Sequence, residues 1–342
     1  MLFPWPAALN QSFLMNGTAL GSAENRPAAP QGRFIERSYW HDNGAMRYKL
    51  YIPGGYHGQS LPLLVMLHGC TQNADDFAAG TRMNQLAEER QCFVAYPEQS
   101  SAANGARCWN WYEQANQQRD RGEPAVIAGI TREIIAEYGI DADSVFVAGL
   151  SAGGAMAIIM SQVYPELFTA VGSHSGMPYG AANDLSSAME AMREGAARKP
   201  GAAMPLKRMP IIVFQGDTDT TVHPNNSVSI IDQCVPGRHG KLERTRKALA
   251  HDGADARSFT HTTHRDALGK TVAEQWTVHG AGHAWSGGHS DGSYIDANGP
   301  DAGREMLRFF MGIRRPKSRA APRVAKAAAK FAHAGLRQLN LA

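Results

Sequence analysis

Residues 145–160 read VFVAGLSAGGAMAIIM and place one serine among three glycines. The β-branched run before the serine predicts a buried strand, and the Ala/Met/Ile run after it predicts a helix. In that context Gly149-Leu150-Ser151-Ala152-Gly153 matches G-x-S-x-G, a tight turn that presents the serine hydroxyl at the strand's carboxyl end. The helix N-terminus favours negative charge developing there. The turn predicts a nucleophile; a serine that only caps the helix is the alternative.

A serine nucleophile needs a histidine base and a carboxylate that orients the base. In this architecture the chain order is Ser, Asp, His, with each partner on a loop after a later strand. After the predicted strand at 210–216 the chain offers two carboxylates, Asp217 and Asp219. Asp219 fits the spacing G-x-x-D-x-x-V and is the predicted triad acid, whereas Asp217 is predicted to shape the turn.

Two histidines follow the predicted strand at 273–278. His279 and His283 have the i, i+4 spacing of a helical metal pair, but the glycines between them make a helix improbable. No metal site is therefore predicted. His283 is the predicted base, and His279 is predicted to be structural. The remaining histidines, including those of the HTTH stretch at 261–264, are predicted to be polar surface positions.

The site also needs backbone N–H groups that stabilise the oxyanion formed during acyl transfer. Ala152 directly follows the nucleophile and is the first predicted donor. An early predicted strand at 61–67 runs into HGCTQN at 68–73. The glycine in this turn allows close backbone approach, so the N–H of Cys70 is the second predicted donor.

Strand-like and helical patterns alternate from about residue 35 to 312. Strands are predicted at 47–52, 61–67, 92–96, 145–149, 168–176, 210–216 and 273–278. Helices are predicted at Ala74–Gln91, Pro124–Tyr138, Ala152–Tyr164, Asn225–Cys234 and Asp301–Met311, with a helical insertion over Ala181–Pro205. This alternation predicts one α/β domain with a mostly parallel sheet covered by helices on both faces.

Composition excludes several classes of protein. The chain has 342 residues, 43% of them hydrophobic, and no apolar run approaches the ~18–20 residues of a membrane span. Residues 314–342 hold eight Lys or Arg and no Asp or Glu, so the rest holds 26 basic and 31 acidic side chains. A mildly acidic body with a basic tail is not the profile of a nucleic-acid-binding domain. The tail pattern predicts a basic amphipathic helix suited to an anionic or apolar surface; a solvated, partly disordered tail is the alternative.

Four cysteines form no CxxC pair, which argues against a structural zinc site and leaves one or two disulfides open. The N-terminus lacks a charged region followed by a continuous apolar run, so no secretory signal is recognisable. Cytoplasm is therefore the default expectation, whereas a disulfide would indicate a secreted or periplasmic protein.

LHGCTQ, CWNWYE, GLSAGG, GDTDTTV and GAGHAWSGG together resemble poly(3-hydroxybutyrate) depolymerase catalytic domains and the related feruloyl and acetylxylan esterases. The resemblance covers about residues 33–313 and leaves an N-terminal extension, 1–32, and the tail, 314–342. It implies an α/β-hydrolase fold with Ser151, Asp219 and His283 as the triad and with Cys70 near the oxyanion hole. It also suggests a disulfide between Cys70 and Cys108.

Three tryptophans, Trp109, Trp111 and Trp285, lie beside these motifs and are predicted to bind substrate through their aromatic faces, with core packing as the alternative. The predicted function is hydrolysis of short-chain polyhydroxyalkanoate or its oligomers through an acyl-enzyme, without cofactor or metal. A feruloyl or acetylxylan esterase is the alternative, and a non-catalytic granule- or surface-binding protein on a hydrolase scaffold is the remote one. The expected partners are a polyester or small ester and, through the tail, a granule or anionic surface; no nucleic acid is expected.

Overall fold

A computed structural model describes residues 31–42, 44–196, 208–235, 242–251 and 253–313. The predicted basic tail and all but the last two residues of the predicted N-terminal extension lie outside the described residues. So does the end of the predicted insertion, from residue 197 on. Among the described helices, none is long and apolar enough to cross a membrane.

The strands of the described chain form one large sheet and one small one. The large sheet contains β1 (Arg33–His41), β2 (Gly44–Ile52), β3 (Leu63–Leu67), β4 (Phe93–Pro97), β5 (Val145–Leu150), β6 (Ala170–His174), β7 (Ile211–Gly216), β8 (Leu242–Leu249), β9 (Ser258–Arg265) and β10 (Thr271–Val278). Its order is β1-β2-β4-β3-β5-β6-β7-β10-β9-β8. The small sheet pairs β11 (Trp285–Ser286) with β12 (Ile295–Asp296).

The sheet is parallel in the middle and antiparallel at both sides. The six strands from β4 to β10 in the sheet order pair in parallel. β2 and β1 extend the sheet antiparallel on one side, and β9 and β8 do so on the other. The sequence pattern predicted the parallel centre but missed β1, β8 and β9. These outer strands carry many polar side chains because they are less covered than the central ones, so they lack the continuous apolar run of a buried strand.

Seven α-helices of the described chain cover the sheet: α1 (Ala74–Thr81), α2 (Met83–Arg90), α3 (Gly122–Tyr138), α4 (Ala152–Val163), α5 (Leu185–Glu194), α6 (Asn225–Cys234) and α7 (Ala302–Gly312). The prediction of one helix from residue 74 to 91 is wrong, because Arg82 takes the left-handed conformation (φ 54°) and separates α1 from α2. α5 lies inside the predicted insertion.

Alternate side chains of the central strands face two different cores. On β3, Leu63 and Val65 belong to a cluster with α3, α4, α5 and α6, while Leu64 and Met66 belong to a cluster with α1, α2 and α7. Successive strand residues point to opposite faces, so a strand buried on both sides must be apolar throughout. The helices therefore cover both faces of the sheet, as the alternation predicted.

Candidate active site

The carboxyl ends of five neighbouring strands assemble the site. β3, β5, β6, β7 and β10 are consecutive in the sheet and parallel, so the loops that follow them emerge at the same edge. In open α/β sheets this edge is where ligands bind. It receives His68, Ser151, His174, Asp217 and His279, each at or directly after the end of its strand.

Ser151 sits on a strained turn between β5 and α4. Its φ of 56° lies in the left-handed region, which a non-glycine residue rarely adopts and which is often found at functional sites. A side chain on Gly149 would come within 2.6 Å of the carbonyl oxygen of Leu67, and one on Gly153 would clash with the same carbonyl. The Ser151 amide donates to the His174 carbonyl at 2.9 Å. Both glycines of the motif are thus required for the turn to pack against β3.

Asp219 and His283 form the second part of the site. Nδ1 of His283 lies 2.8 Å from Oδ2 of Asp219, whose side chain is fully buried. The other carboxylate oxygen, Oδ1, accepts from the amides of Thr221 and Val222 at 2.9 and 2.8 Å. This arrangement fixes the tautomer of His283 with the proton on Nδ1, so Nε2 is free to accept one.

The ionisation of Asp219 reflects opposing effects. Burial would raise the pKa of this carboxyl. The hydrogen bond and charge of His283, together with the amides of Val222 and Thr221, hold the pKa below its ordinary value. Asp219 therefore stays an anion at neutral pH and can stabilise a positive charge on His283.

A second Asp–His pair lies beside the first. Asp217 Oδ2 is 2.7 Å from His279 Nδ1, and Asp217 Oδ1 accepts from the Gly280 amide at 2.7 Å. The other ring nitrogen, Nε2 of His279, is 2.8 Å from Thr260 Oγ1. Each histidine of the loop is thus held by its own aspartate, and the outer pair anchors the start of the loop that carries His283.

His174 links the nucleophile to the Asp219–His283 pair. Its carbonyl holds the Ser151 amide, and its ring interacts electrostatically with both members of the pair. Burial, followed by the neighbouring charge of His283, lowers the pKa of His174 to about 3, so the ring is neutral. Nε2 accepts from the Ser286 amide at 2.9 Å. The network thus assigns the proton to Nδ1, toward the Ser175 hydroxyl.

Ser151 and His283, the predicted nucleophile and base, are not hydrogen-bonded to each other. Within the described part of the chain, neither the Ser151 hydroxyl nor Nε2 of His283 makes a hydrogen bond. Catalytic hydrogen bonds are often long without substrate and tighten in the complex. The free hydroxyl and free Nε2 are the two groups that a serine–histidine proton transfer requires.

Cys70 and Ala152 carry the two amides predicted to stabilise an oxyanion. The amides of Gly69 and Thr71, on either side of Cys70, are both bonded within the protein. The Cys70 and Ala152 amides donate to no acceptor among the described residues, and both residues line the same cavity as Ser151. Backbone amides without an acceptor are rare, and two of them on one cavity beside a strained serine agree with the predicted oxyanion hole.

The disulfide suggested by the resemblance is present between Cys70 and Cys108, whose Cα atoms are 4.2 Å apart. It joins the turn that carries one oxyanion donor to the loop at 104–112. The other two cysteines, Cys92 and Cys234, are buried thiols whose pKa burial raises to about 12.

The cavity at Ser151 has a volume of about 200 Å³ and mostly apolar walls. No charged side chain lines it in the described part of the chain. Its walls come from the disulfide-linked loops, the nucleophile turn and α5, and they comprise Cys70, Asn104, Cys108, Trp111, Tyr112, Ser151, Ala152, Met177, Leu185, Ala188, Met189, Met192 and Val222. This composition suits an aliphatic or aromatic acyl group.

Of the three tryptophans predicted to bind substrate, only Trp111 lines the cavity. Trp109 is fully buried and donates from its indole N–H to the His68 carbonyl at 3.1 Å. Trp285 is also fully buried and stacks on His174. Neither buried ring has an accessible face, so the substrate-binding prediction is wrong for Trp109 and Trp285, and core packing is their role.

The prediction that the remaining histidines are polar surface positions is wrong for His264, which is buried on β9. Two more of these histidines, His68 and His174, are buried as well. Each stands at the end of a buried strand, and that position is the signal that could have identified them. The α5 residues that line the cavity were missed individually, since only the insertion as a whole was predicted.

Comparison with known proteins finds relatives of this chain. Residues 46–245 match the family described as esterase PHB depolymerase. Poly(3-hydroxyalkanoate) depolymerase C of Paucimonas lemoignei is 31% identical over 250 residues, covering 70% of this chain and 58% of that protein. Probable acetylxylan esterase A of Aspergillus fumigatus is 31% identical over 202 residues, covering 54% of this chain and 53% of that protein. The chain thus spans little more than half the length of these relatives.

A solved structure shares the fold. The acetyl xylan esterase from Aspergillus awamori superposes with a TM-score of 0.62 at 20% identity, covering 81% of this chain and 99% of that one. At this identity the likeness concerns the fold alone.

Proposed function

The chain belongs to the esterase PHB depolymerase family, and from that premise we propose that it is a serine carboxylic-ester hydrolase. The observation that carries the proposal is the convergence, at one edge of the sheet, of a strained Ser151, an Asp219–His283 pair and two unpaired amides. Each of these features has a chemical role in acyl transfer.

In the proposed mechanism Ser151 Oγ attacks the ester carbonyl while His283 Nε2 takes its proton. The Cys70 and Ala152 amides stabilise the oxyanion, and Asp219 stabilises the positive charge on His283. The intermediate collapses to an acyl-enzyme as His283 returns the proton to the departing alcohol. Water, deprotonated by His283, then attacks the acyl carbon. As this second intermediate collapses, His283 gives the proton to Ser151 Oγ, which releases the carboxylic acid and restores the free serine.

The substrate we favour is a short-chain polyhydroxyalkanoate, such as poly(3-hydroxybutyrate), or its oligomers. The cavity is apolar, and two of its α5 residues, Leu185 and Met189, are 60% and 57% exposed. An exposed apolar rim around the nucleophile suits a polyester chain that continues beyond the cleaved unit. The rim suits a sugar chain less well, because sugar hydroxyls need hydrogen-bonding partners.

A feruloyl or acetylxylan esterase is the second candidate. Trp111 and Tyr112 both line the cavity, and an aromatic face there could stack on a feruloyl ring or a sugar. The acetylxylan esterase relative is as similar in identity as the depolymerase relative, although over a shorter stretch.

The basic tail, 314–342, is proposed as the element that holds the enzyme on a granule or another anionic surface. It concentrates eight basic side chains on a body of opposite net charge. Basic amphipathic segments bind anionic interfaces through charge and apolar contact together.

The decisive experiment follows the loss of turbidity of amorphous poly(3-hydroxybutyrate), with Ser151→Ala as the control. Clearing by the wild type alone would support polymer hydrolysis by the assigned nucleophile. A preparation that cleaves a soluble butyrate ester but leaves the polymer turbid would overturn the depolymerase assignment. Acetylated xylan and feruloyl esters would then be assayed next.

Covalent labelling separates the enzyme from the remote alternative of a non-catalytic binding protein. A fluorophosphonate probe should label the wild type at Ser151 and leave Ser151→Ala unlabelled, because only an activated serine attacks the phosphorus. A folded wild type that is not labelled and cleaves no ester would favour the binding protein.

A further inference from the structure

Glu123 is a buried carboxylate that the proposed mechanism does not use. It lies in the first turn of α3, is 9% exposed, and forms no ion pair within the described chain. Its oxygens accept from the Asn110 amide at 2.9 Å, from Asn110 Nδ2 at 2.8 Å and from Gln99 Nε2 at 2.5 Å. A carboxylate buried without a cation costs stability, so its retention calls for an explanation.

The Gln99 contact leads from Glu123 to the turn that carries the Cys70 amide. The side chain of Gln99 bonds Glu123, and its backbone N–H donates to Nε2 of His68 at 3.1 Å. This bond leaves the proton of the His68 ring on Nδ1. Nδ1–H of His68 then donates to the Gly69 carbonyl at 2.7 Å. The Gly69 carbonyl and the Cys70 N–H belong to the same planar peptide group and point in opposite directions. Holding the carbonyl therefore aims the N–H.

The Asn110 contact leads from Glu123 to the loop on the other side of the disulfide. The side-chain oxygen of Asn110 accepts from Asn104 Nδ2 at 2.8 Å, and Asn104 lines the catalytic cavity. Gln99 Nε2 also donates to the Cys108 carbonyl at 3.2 Å. Both segments joined by the Cys70–Cys108 disulfide thus connect through hydrogen bonds to one carboxylate.

We propose that Glu123 is a positioning residue for the oxyanion hole: through Gln99 and Asn110 it fixes the two disulfide-linked segments and thereby the direction of the Cys70 N–H. The inference rests on the proposed esterase function and adds a residue to its machinery. Glu123 touches no reacting atom and acts only through the groups it holds.

The ionisation of Glu123 makes this role depend on pH. Burial, opposed by the bonds from Asn110 and Gln99, raises the pKa of Glu123 to about 7. The carboxylate accepts only N–H donors here, so protonation removes an acceptor and loosens the contacts. Glu123 also borders a cavity of about 560 Å³ that reaches solvent. The charged or titratable groups facing it from the neighbouring elements are His41, Arg47, Glu98, Glu113 and, behind Gln99, His68.

The test compares Glu123→Gln with Glu113→Gln on a soluble butyrate ester. Glu113 borders the same cavity, is exposed, and bonds only Asn116 among the described side chains, so it is the matched control. In Glu123→Gln an amide N–H₂ faces the donors of Asn110 or Gln99. A misaimed oxyanion donor weakens only the transition state, so kcat should fall by about ten- to a hundredfold with KM nearly unchanged.

The pH dependence of kcat/KM is the second measurement, because a purely structural role of Glu123 would not change it. On the acid side, the fall in wild-type log(kcat/KM) should include the ionisation of Glu123, and this ionisation should be missing from the profile of Glu123→Gln. If Glu123→Gln keeps the wild-type kcat and the wild-type acid limb, the inference is overturned. A loss of thermal stability with kcat unchanged would overturn it as well.

A second variant guards against failure of Glu123→Gln to fold. Gln99→Met keeps the length of the side chain but removes its bonds to Glu123 and to the Cys108 carbonyl, and it should lose kcat in the same way. Normal kcat in Gln99→Met would overturn the inference. A wild type that cleaves no ester would overturn the proposed function and this inference with it, whereas an active wild type with unaffected variants would overturn the inference alone.

Discussion

Asp217 and Asp219 stand two residues apart on one loop, and each holds a different histidine. They differ in burial, since the Asp219 side chain is fully buried while the Asp217 side chain is 36% exposed. A buried carboxylate fixes the tautomer and orientation of its histidine in a low-dielectric setting, while an exposed one is screened by water. The spacing in the sequence favoured Asp219, and the buried pair agrees with that assignment.

Substitution of each aspartate by asparagine tests the assignment. Asp219→Asn should lower kcat on a soluble ester by about 10⁴-fold, because the amide favours the wrong tautomer of His283. Asp217→Asn should lower kcat only a few-fold, through a less firmly anchored loop. Steady-state kinetics on the two purified variants measure the difference. If Asp217→Asn were the more damaging substitution, the triad would have to be reassigned.

Glu123 also predicts a pH dependence of stability. Its folded-state pKa of about 7 exceeds the ordinary value of 4.5, so the folded state binds the proton more tightly than the unfolded state. The stability that this group contributes is complete below pH 4.5 and is lost as the pH rises through 7. The loss amounts to about 3 kcal/mol.

Urea unfolding of the wild type and of Glu123→Gln, at several pH values between 4 and 8, measures this effect. The free energy of unfolding of the wild type, relative to the variant, should decrease by about 3 kcal/mol across that range. A difference that is independent of pH would show that Glu123 does not titrate there.

At the scale of secondary structure, the sequence predicted the buried central strands and missed the outer strands β1, β8 and β9. β3, β5 and β7 are continuous apolar runs because both of their faces are covered, and the sequence located all three. β8 reads LERTRKAL at the edge of the sheet, where hydrogen bonding to one neighbour, rather than burial, holds the strand. Its partner β9 follows directly in the chain, but the sequence of β8 lacks the apolar alternation of a half-buried strand, so no local pattern identifies it.

α5 is the element that gives the cavity its apolar rim. Its buried residues Ala188 and Ala191 face the protein, while Leu185 and Met189 stay exposed and also line the cavity. Exposed apolar residues at a cavity mouth commonly mark a binding surface. The sequence predicted an insertion here but not its rim, because side-chain exposure depends on how the helix docks.

The double variant Leu185→Ser/Met189→Ser tests the rim. Clearing of amorphous poly(3-hydroxybutyrate) should fall several-fold more than hydrolysis of a soluble butyrate ester, because a polymer that continues beyond the cleaved unit contacts more of the exposed rim than a short ester does. Val228→Ser on α6 is the control, since Val228 is 50% exposed but does not line the cavity. Equal losses on both substrates would mean that the rim does not contact polymer.

Across the whole molecule, the sequence could suggest the proposed triad because its order along the chain follows the order of strands in the sheet. β5, β6, β7 and β10 are neighbours, so residues far apart in sequence meet at one edge. The supporting groups could not be predicted in this way. Glu123 acts from the first turn of α3 through two other loops, and His174 ends β6, a strand whose carboxyl end carries neither triad residue nor oxyanion donor. Such contacts arise from packing, and no local motif encodes them.

The basic tail, 314–342, and the rest of the chain carry net charges of opposite sign. Removal of residues 314–342 leaves a chain with 26 basic and 31 acidic side chains and should weaken sedimentation with anionic polymer particles, while kcat on a soluble ester stays unchanged. Arg323, Lys326, Lys330 and Arg337 are the four basic residues that fall on one face of the helix predicted for the tail. Replacing them by Gln in the full chain separates the effect of charge from that of length. If charge drives the attachment, this variant behaves like the truncation, and the attachment of the wild type weakens at high salt because mobile ions screen the attraction. Attachment that survives both changes would instead assign surface binding to the apolar rim of α5, which both variants retain.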